Sequence, residues 1–314
     1  MKHLRSLLPL LAAIALLLII FALWVPHGRF LTPGNLMDLA QQISVNAILA
    51  FGLTLVILIG GIDLSVGAVV ALAGVVCVSV LNAAGPMAGL AAGLGAAVLI
   101  GLANGVCAAR TSMPPFIITL ATMLVARGMA LGFNESRPLP IGEDQSFILA
   151  LGNARLGGWL PLPVVVMLVV FTVTAVLLHR TRFGQHLYAI GGNREAARFT
   201  GIAIAGHEIA VYGLCGLCAG LAGMIHASQL YSAEPAAGQG FELNAIAAVV
   251  VGGTSFSGGI GALPGTLLGA VIIGILDKGL NQAGVHFSLQ YIVKGLVILI
   301  AVYTDVRRRK RNVQ

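Results

Sequence analysis

Few side chains in this 314-residue chain could do chemistry in an apolar medium. Asp63 is the only charge between Asp38 and Arg110. Burying such a group costs about 2.5–3.5 kcal/mol on insertion scales, so an acid there is expected to have a task. It follows Gly60-Gly61 and opens the next apolar run, where an N-cap would accept free helix amides. The other reading of Asp63 is a gate or proton relay. Gln42, Asn46, Gln239 and Asn244 are the polar side chains nearest two glycine-broken apolar segments. Each could line a pathway or make an interhelical hydrogen bond.

Catalytic sets are missing. No G-x-x-x-x-G-K-[ST] occurs, so the chain carries no phosphate-cradling loop of its own. The run Gly258 to Gly265 does not give G-x-G-x-x-G. No His pair has metal-ligand spacing, and no Ser, His and Asp suggest a triad. Cys215-x-x-Cys218 has no second pair, and reads as two buried small side chains rather than a metal or redox site. The expectation is neither metal nor cofactor in this chain.

The elements that must position these residues follow from composition. The chain is 58% hydrophobic and 9% charged, against roughly 25% charged in soluble domains. That deficit predicts an all-α polytopic membrane protein solvated by lipid. Apolar runs predict about ten spans, near 7–26, 44–61, 65–82, 87–108, 115–133, 161–178, 209–227, 242–254, 263–281 and 288–304, in one domain over 1–314. The first run is too long for a signal peptide and no small-x-small cleavage site follows it, so it reads as a retained helix ending at Trp24. Gly213, Gly216, Gly220 and Gly223 lay a flat stripe on one helix for close packing.

The net charge of +7 reports topology. Lys2, Arg5, Arg110, Arg180, Arg182, Arg194, Arg198 and the block Arg307 to Arg311 fall on one side, twelve bases in all. Arg29, Arg137 and Arg155 make three on the other. The majority side is cytoplasmic, which places both termini and the tail 305–314 inside. So uneven a distribution does not fit nucleic acid. Arg127, Lys278 and Lys294 lie within spans, expected to snorkel outward, with Asp277 and Glu242 as candidate partners. Two loops face out, Gly28 to Gln42 and Asn134 to Leu160. The longer one carries Glu135, Arg137, Glu143, Asp144 and Arg155, either solvated or docking a partner.

There is also an internal echo. Asn46-Ala47-Ile48 leads to Gly60-Gly61-Ile62-Asp63, and Asn244-Ala245-Ile246 leads to Gly252-Gly253-Thr254-Ser255. The intervals differ, and chance among 41 glycines explains it as readily. If real, it marks paired helix breaks along a transport path, the second being a half-helix with a re-entrant turn.

One polar stretch, His179 to Glu208, stands between apolar runs on the cytoplasmic side. In it Asn193 can N-cap and Gly201 can end a helix of about two turns, after a Gly191-Gly192-Asn193 turn. So short a helix is marginal alone and would gain from resting in a partner's groove. Ala196 and Ala197 would allow close approach, and Arg194, Glu195 and Arg198 would pair at the rim.

The spacing Glu195-Ala196-Ala197-x-x-x-Gly201 resembles the coupling motif of ABC importer permeases. GGIDLSVG from Gly60, PPFIITLATMLVARG from Pro114, FGQHLYAIGGN from Phe183, FELNAIAAVVVGG from Phe241 and VKGLVILIA from Val293 look like the ribose-type monosaccharide permease family, in the same order over nearly the whole chain. The resemblance implies a multi-pass subunit of the bacterial inner membrane. It implies as partners a second permease copy or relative, a cytoplasmic ATPase holding ATP and Mg, and a periplasmic sugar-binding protein. The implied cargo is a pentose, hexose or related polyol. For such a cargo Gln42, Asn46, Gln239 and Asn244 are the candidate pathway residues, since a neutral sugar needs weak hydrogen-bonding groups. Pro264 departs from the family pattern, stiffening its turn. The rival readings are an ion-coupled secondary transporter using Asp63, and a scaffold without transport of its own.

Overall fold

The structure is a computed structural model and describes residues 2–142 and 145–313. Thirteen α-helices account for most of it: α1 (Lys2–Trp24), α2 (Pro33–Leu58), α3 (Val66–Ala84), α4 (Pro86–Arg110), α5 (Pro115–Gly132), α6 (Ser146–Asn153), α7 (Leu162–Arg180), α8 (Arg182–Gly192), α9 (Arg194–Phe199), α10 (Ile204–Gln229), α11 (Phe241–Val251), α12 (Leu263–Gln282) and α13 (Phe287–Val313). Proline marks the start of most long helices, where its missing amide costs no hydrogen bond. Pro33, Pro86 and Pro115 each open one. Pro264 falls in the first turn of α12, so it starts a helix rather than stiffening a loop.

Among the described residues eight helices are long and apolar enough to cross a membrane, and two apolar stretches are shorter, Phe241–Val251 and Phe287–Tyr303. The ten expected spans therefore resolve into eight long helices and two lesser ones. With 11 residues, α11 is about 16 Å long, half of an apolar core about 30 Å thick. Two expected boundaries move. α2 begins at Pro33, so most of Gly28 to Gln42, read as an outer loop, forms its first turns. α13 continues through the basic block to Val313, where a tail was expected.

The core is built on α2 and α10. From Val45 to Leu58 nearly every residue of α2 is buried, enclosed by α7, α10, α11 and α12. α10 packs on α4, α3 and α2, and its glycine stripe is the reason. A Cβ at Gly216 would strike the Ala97 carbonyl of α4, and one at Gly223 the Val70 carbonyl of α3. Backbones in such contact substitute dispersion for the hydrophobic drive that lipid removes. Cys215 and Cys218 are free and buried against Gly52 of α2. α1, α5 and α13 carry apolar side chains such as Leu23, Leu124 and Leu296 outward, as lipid-facing helices must.

Short connections tie the end of the bundle where α2 begins. Leu139–Pro140 pairs with Ser232–Ala233. α6 is pinned to α10: Gly152 N donates to Ser228 Oγ at 2.8 Å, and Asn153 Nδ2 donates to the Ser228 carbonyl at 2.7 Å. In the longer loop Glu135 and Arg137 form an exposed pair at 3.4 Å, while Arg155 reaches Asp38 of α2 at 2.9 Å. Glu143 and Asp144 lie outside the described residues.

Candidate functional site: a coupling surface and a polar cavity at opposite ends of one helix

The polar stretch folds into two helices where one was expected. α8 was not anticipated, because its apolar side is short: Leu187 and Ile190 are buried and its other residues are mostly polar or small. Thr181 caps it, accepting from Gly184 N. Gly191 and Gly192 are its last residues rather than a turn, and the chain turns at Asn193 in an extended conformation. Asn193 Oδ1 then accepts the Ala196 amide at 2.9 Å, capping α9. At the far end Gly201 N bonds to the Arg198 carbonyl and Ile202 N to the Ala197 carbonyl, with Gly201 at φ +83°. That paired closure requires a left-handed residue, which glycine supplies without strain.

The charges of α9 are divided in a way the sequence does not reveal. Arg194 forks onto Glu208 in the first turns of α10, with Nη2 donating to Oε2 at 3.0 Å. Glu208 is buried. The Glu208 carboxylate raises the Arg194 guanidinium above its ordinary value. Arg194 is thus engaged within its own chain, with about half of its side chain, 53%, still exposed. Ala197 is buried beneath the helix, so of the two alanines only Ala196 faces outward. Glu195 and Arg198 are exposed. Phe199, which sequence reading passed over, is 90% exposed.

α8 and α9 are joined to the bundle. His186 Nδ1 lies 3.0 Å from His207 Nε2 in α10. Tyr188 Oη donates to the Gly261 carbonyl at 2.8 Å, and burial raises its phenol above the ordinary value. The Gly191 backbone rests directly on the Leu58 carbonyl of α2 and on Gly259. Gly259 N donates to that same Leu58 carbonyl at 2.8 Å. The two glycine-broken connections of the internal echo, 59–65 and 252–262, therefore meet each other and the end of α8 at one point. Glycine is required there because any Cβ at 191 would overlap backbone on both sides.

Asp63 sits in the first of these connections. Its Oδ1 accepts from Ser65 N at 2.9 Å and Ser65 Oγ at 2.6 Å, and Asn104 Nδ2 donates to the Ser65 hydroxyl at 3.0 Å. Ser65, not Asp63, is the N-cap residue of α3. Asp63 orders the approach to the helix from two residues upstream. Arg127 also departs from expectation. It turns inward, half-buried, and donates to the Pro235 and Ala237 carbonyls at 2.9 and 2.6 Å, holding the connection that leads to α11.

A cavity of about 500 Å³ opens at the other end of α10, among α2, α6, α10, α11 and α12. Gln42, Asn46 and Asn244 line it together, with Gln41, Asn153, His226, Gln229 and Phe241. Gln239 does not; it is exposed in the connection before α11. Gln229 went unnoticed in the sequence because it stands one residue before the chain leaves α10. Two buried polar atoms in the wall, Asn46 Oδ1 and Gln229 Nε2, have no partner. Such atoms cost about 1–3 kcal/mol each unless something bonds to them. Among the described residues no Lys or Arg lines this cavity. Asp38 in its wall is already paired with Arg155.

Comparison with known proteins gives the setting. The profile of the family described as branched-chain amino acid transport system / permease component matches residues 35–302. The chain is 44% identical over 305 residues to the ribose import permease protein RbsC of Escherichia coli (strain K12), covering 94% of this chain and 93% of that protein. It is 43% identical to RbsC of Bacillus subtilis (strain 168), over 94% and 92%, and 38% identical to the D-allose transport system permease protein AlsC of Escherichia coli (strain K12), over 93% and 89%. With apolar helices long enough to cross a bilayer eight times and a match from end to end, the chain belongs to this family of multi-pass transport-system permease components, the one that includes the ribose import permeases.

Proposed function

We propose that the chain is the membrane-spanning subunit of an ATP-binding-cassette importer that carries a monosaccharide, a pentose, hexose or related polyol, into the cytoplasm. The unpartnered amide atoms of the cavity support this most directly. Asn46 Oδ1 offers an acceptor and Gln229 Nε2 a donor, matching a hydroxyl that does both. A branched-chain amino acid, the cargo in the family's description, would bring a carboxylate needing a cation; among the described residues the wall around Asn46 and Gln229 offers neither Lys nor Arg, and Lys294 beyond it is already paired with Asp277. The relatives named for ribose and allose fit the same reading. Asp63 does not line the cavity and its oxygen is engaged by Ser65, which does not favour ion coupling.

In this reading the base count orients the bundle, with α8, α9 and both termini in the cytoplasm of a bacterial inner membrane and the cavity open to the periplasm. A sugar-binding protein delivers cargo at the cavity end, and two permease subunits, identical or related, enclose the path. A separate ATPase with its ATP and Mg docks at α9. The deciding experiment is ATP hydrolysis by the reconstituted complex with its binding protein, over a panel of monosaccharides and branched-chain amino acids. Stimulation by a sugar is expected, and stimulation by amino acids alone would overturn the reading.

Phe199 is the anchor of the docking surface. A 90% exposed aromatic beside two exposed charged side chains, Glu195 and Arg198, is the pattern of an interface hot spot with a polar rim. Phe199→Ser is expected to weaken ATPase co-purification by about tenfold or more, from about 2 kcal/mol lost at such an anchor, while Phe199→Leu retains most of it. Equal recovery of the ATPase with all three chains would show that the ring contributes nothing.

A further inference from the structure

A second, more polar chamber of about 370 Å³ adjoins the first, lined by Gln42, Asp277, Lys278, Asn281, Gln290 and Lys294. Gln42 and Asp277 belong to both walls. α12 carries the path from one chamber to the other on a single face. Gly274 lines the inner chamber, Asp277 both, and Asn281 the outer, at helical spacings of three and four. α2 faces it with Asn46 inside and Gln42 at the boundary.

Asp277 has one oxygen engaged on each side. Oδ2 accepts from Asn244 Nδ2, in the inner wall, at 3.4 Å. Oδ1 meets Lys294 Nζ, in the outer wall, at 2.9 Å. Both side chains are only about one-fifth exposed, at 19% and 21%. A carboxylate offers about four acceptor positions, so these two contacts leave room for more. Its charge-assisted hydrogen bonds are roughly twice as strong as those of an amide. The 3.4 Å contact to Asn244 is long and readily exchanged for a better donor.

We infer that Asp277 is a specificity-determining residue at the neck between two sugar chambers, accepting a pair of adjacent hydroxyls as the cargo passes from the outer to the inner one. The inference rests on the import reading above. Lys294 holds the carboxylate across the neck in the absence of cargo. The hydroxyls approach the positions that Lys294 and Asn244 leave free, and a neutral molecule with no adjacent donors gains nothing from the carboxylate. The competing possibility is that Asp277 and Lys294 form an ion pair that only joins α12 to α13.

Monosaccharide uptake by proteoliposomes holding the permease, its ATPase and a saturating amount of binding protein separates the two. Asp277→Asn is expected to lower uptake about tenfold or more, the effect of losing charged hydrogen bonds. Lys294→Gln keeps the carboxylate but leaves it mostly buried and unpaired, so assembly is measured alongside; per assembled complex it is expected to cost about threefold, clearly less than Asp277→Asn. The double variant should be as poor as Asp277→Asn alone. Native rates in Asp277→Asn, recovery in the double variant, or recovery in the exchange Asp277→Lys with Lys294→Asp would overturn the inference. Should Asp277→Asn fail to assemble, Asp277→Glu and Lys294→Gln decide: retained uptake in both supports it, and a severe loss in Lys294→Gln sinks it. A native complex that moves no sugar on the panel overturns the import reading itself.

Discussion

Arg194→Ala is expected to assemble poorly and to transport almost nothing. The substitution removes one half of a forked pair whose other half, Glu208, is buried at the start of α10. Removing one partner of a fully buried pair costs about 3–5 kcal/mol. Arg194 is itself half in solvent, at 53%, which brings the expectation down to about 2 kcal/mol. The larger loss is functional. Without the fork, α9 keeps its link to α10 only indirectly, through α8 and the short connection 200–203, and in the proposed importer a push on α9 reaches α10 poorly. Arg194→Lys should recover part of the assembly and little of the transport, because an ammonium cannot reproduce a two-point grip. The check is to measure ATP hydrolysis and uptake together. Hydrolysis that persists while uptake falls is the expected signature, and an unchanged ratio of the two would count against a transmitting role.

Gly191→Ala should be more damaging than its single methyl suggests. The added Cβ would overlap the Leu58 carbonyl and the Gly259 amide, both backbone, so no side chain can rotate away. Overpacking of this kind costs about 1–3 kcal/mol and more where the backbone must shift. Gly192, whose Cβ would meet nothing, supplies the control: Gly192→Ala should behave as the native chain. Thermal stability of the purified permease, with uptake alongside, tests the contrast. Equal effects at the two glycines would show that the close approach of α8 to α2 carries no consequence.

These two positions show what the sequence can and cannot disclose. The capped helix at 194–199 was legible because its determinants are local: Asn193 three residues before Ala196, and Gly201 just past the end. The long helices were legible from hydropathy, and the stripe on α10 from the spacing of four glycines. Contacts between elements were not. Nothing at Arg194 points to Glu208, fourteen positions on and across a turn, and an isolated α9 gives no reason for Ala197 to be buried and Ala196 exposed. Arg127 was read as snorkelling since the carbonyls it serves, at Pro235 and Ala237, carry no side-chain signal. The cavity was half legible. Polar residues near helix breaks pick out Gln42, Asn46 and Asn244, yet the same rule admits Gln239, which is exposed, and overlooks Gln229 at a helix end.

The flat contact along α10 has a mechanical meaning. From Glu208 to Gln229 the helix spans about 30 Å, with the grip of α9 at one tip and the cavity wall at the other. Between them lie Gly213 to Gly223: Gly216 and Gly223 rest on the backbones of α4 and α3, and Gly213 and Gly220 make room for the side chains of Leu102 and Leu94 of α4. In the proposed importer these small contacts let α10 shift against α4 and α3 as one stiff rod, so that a short stroke at the α9 tip is passed on to the cavity tip.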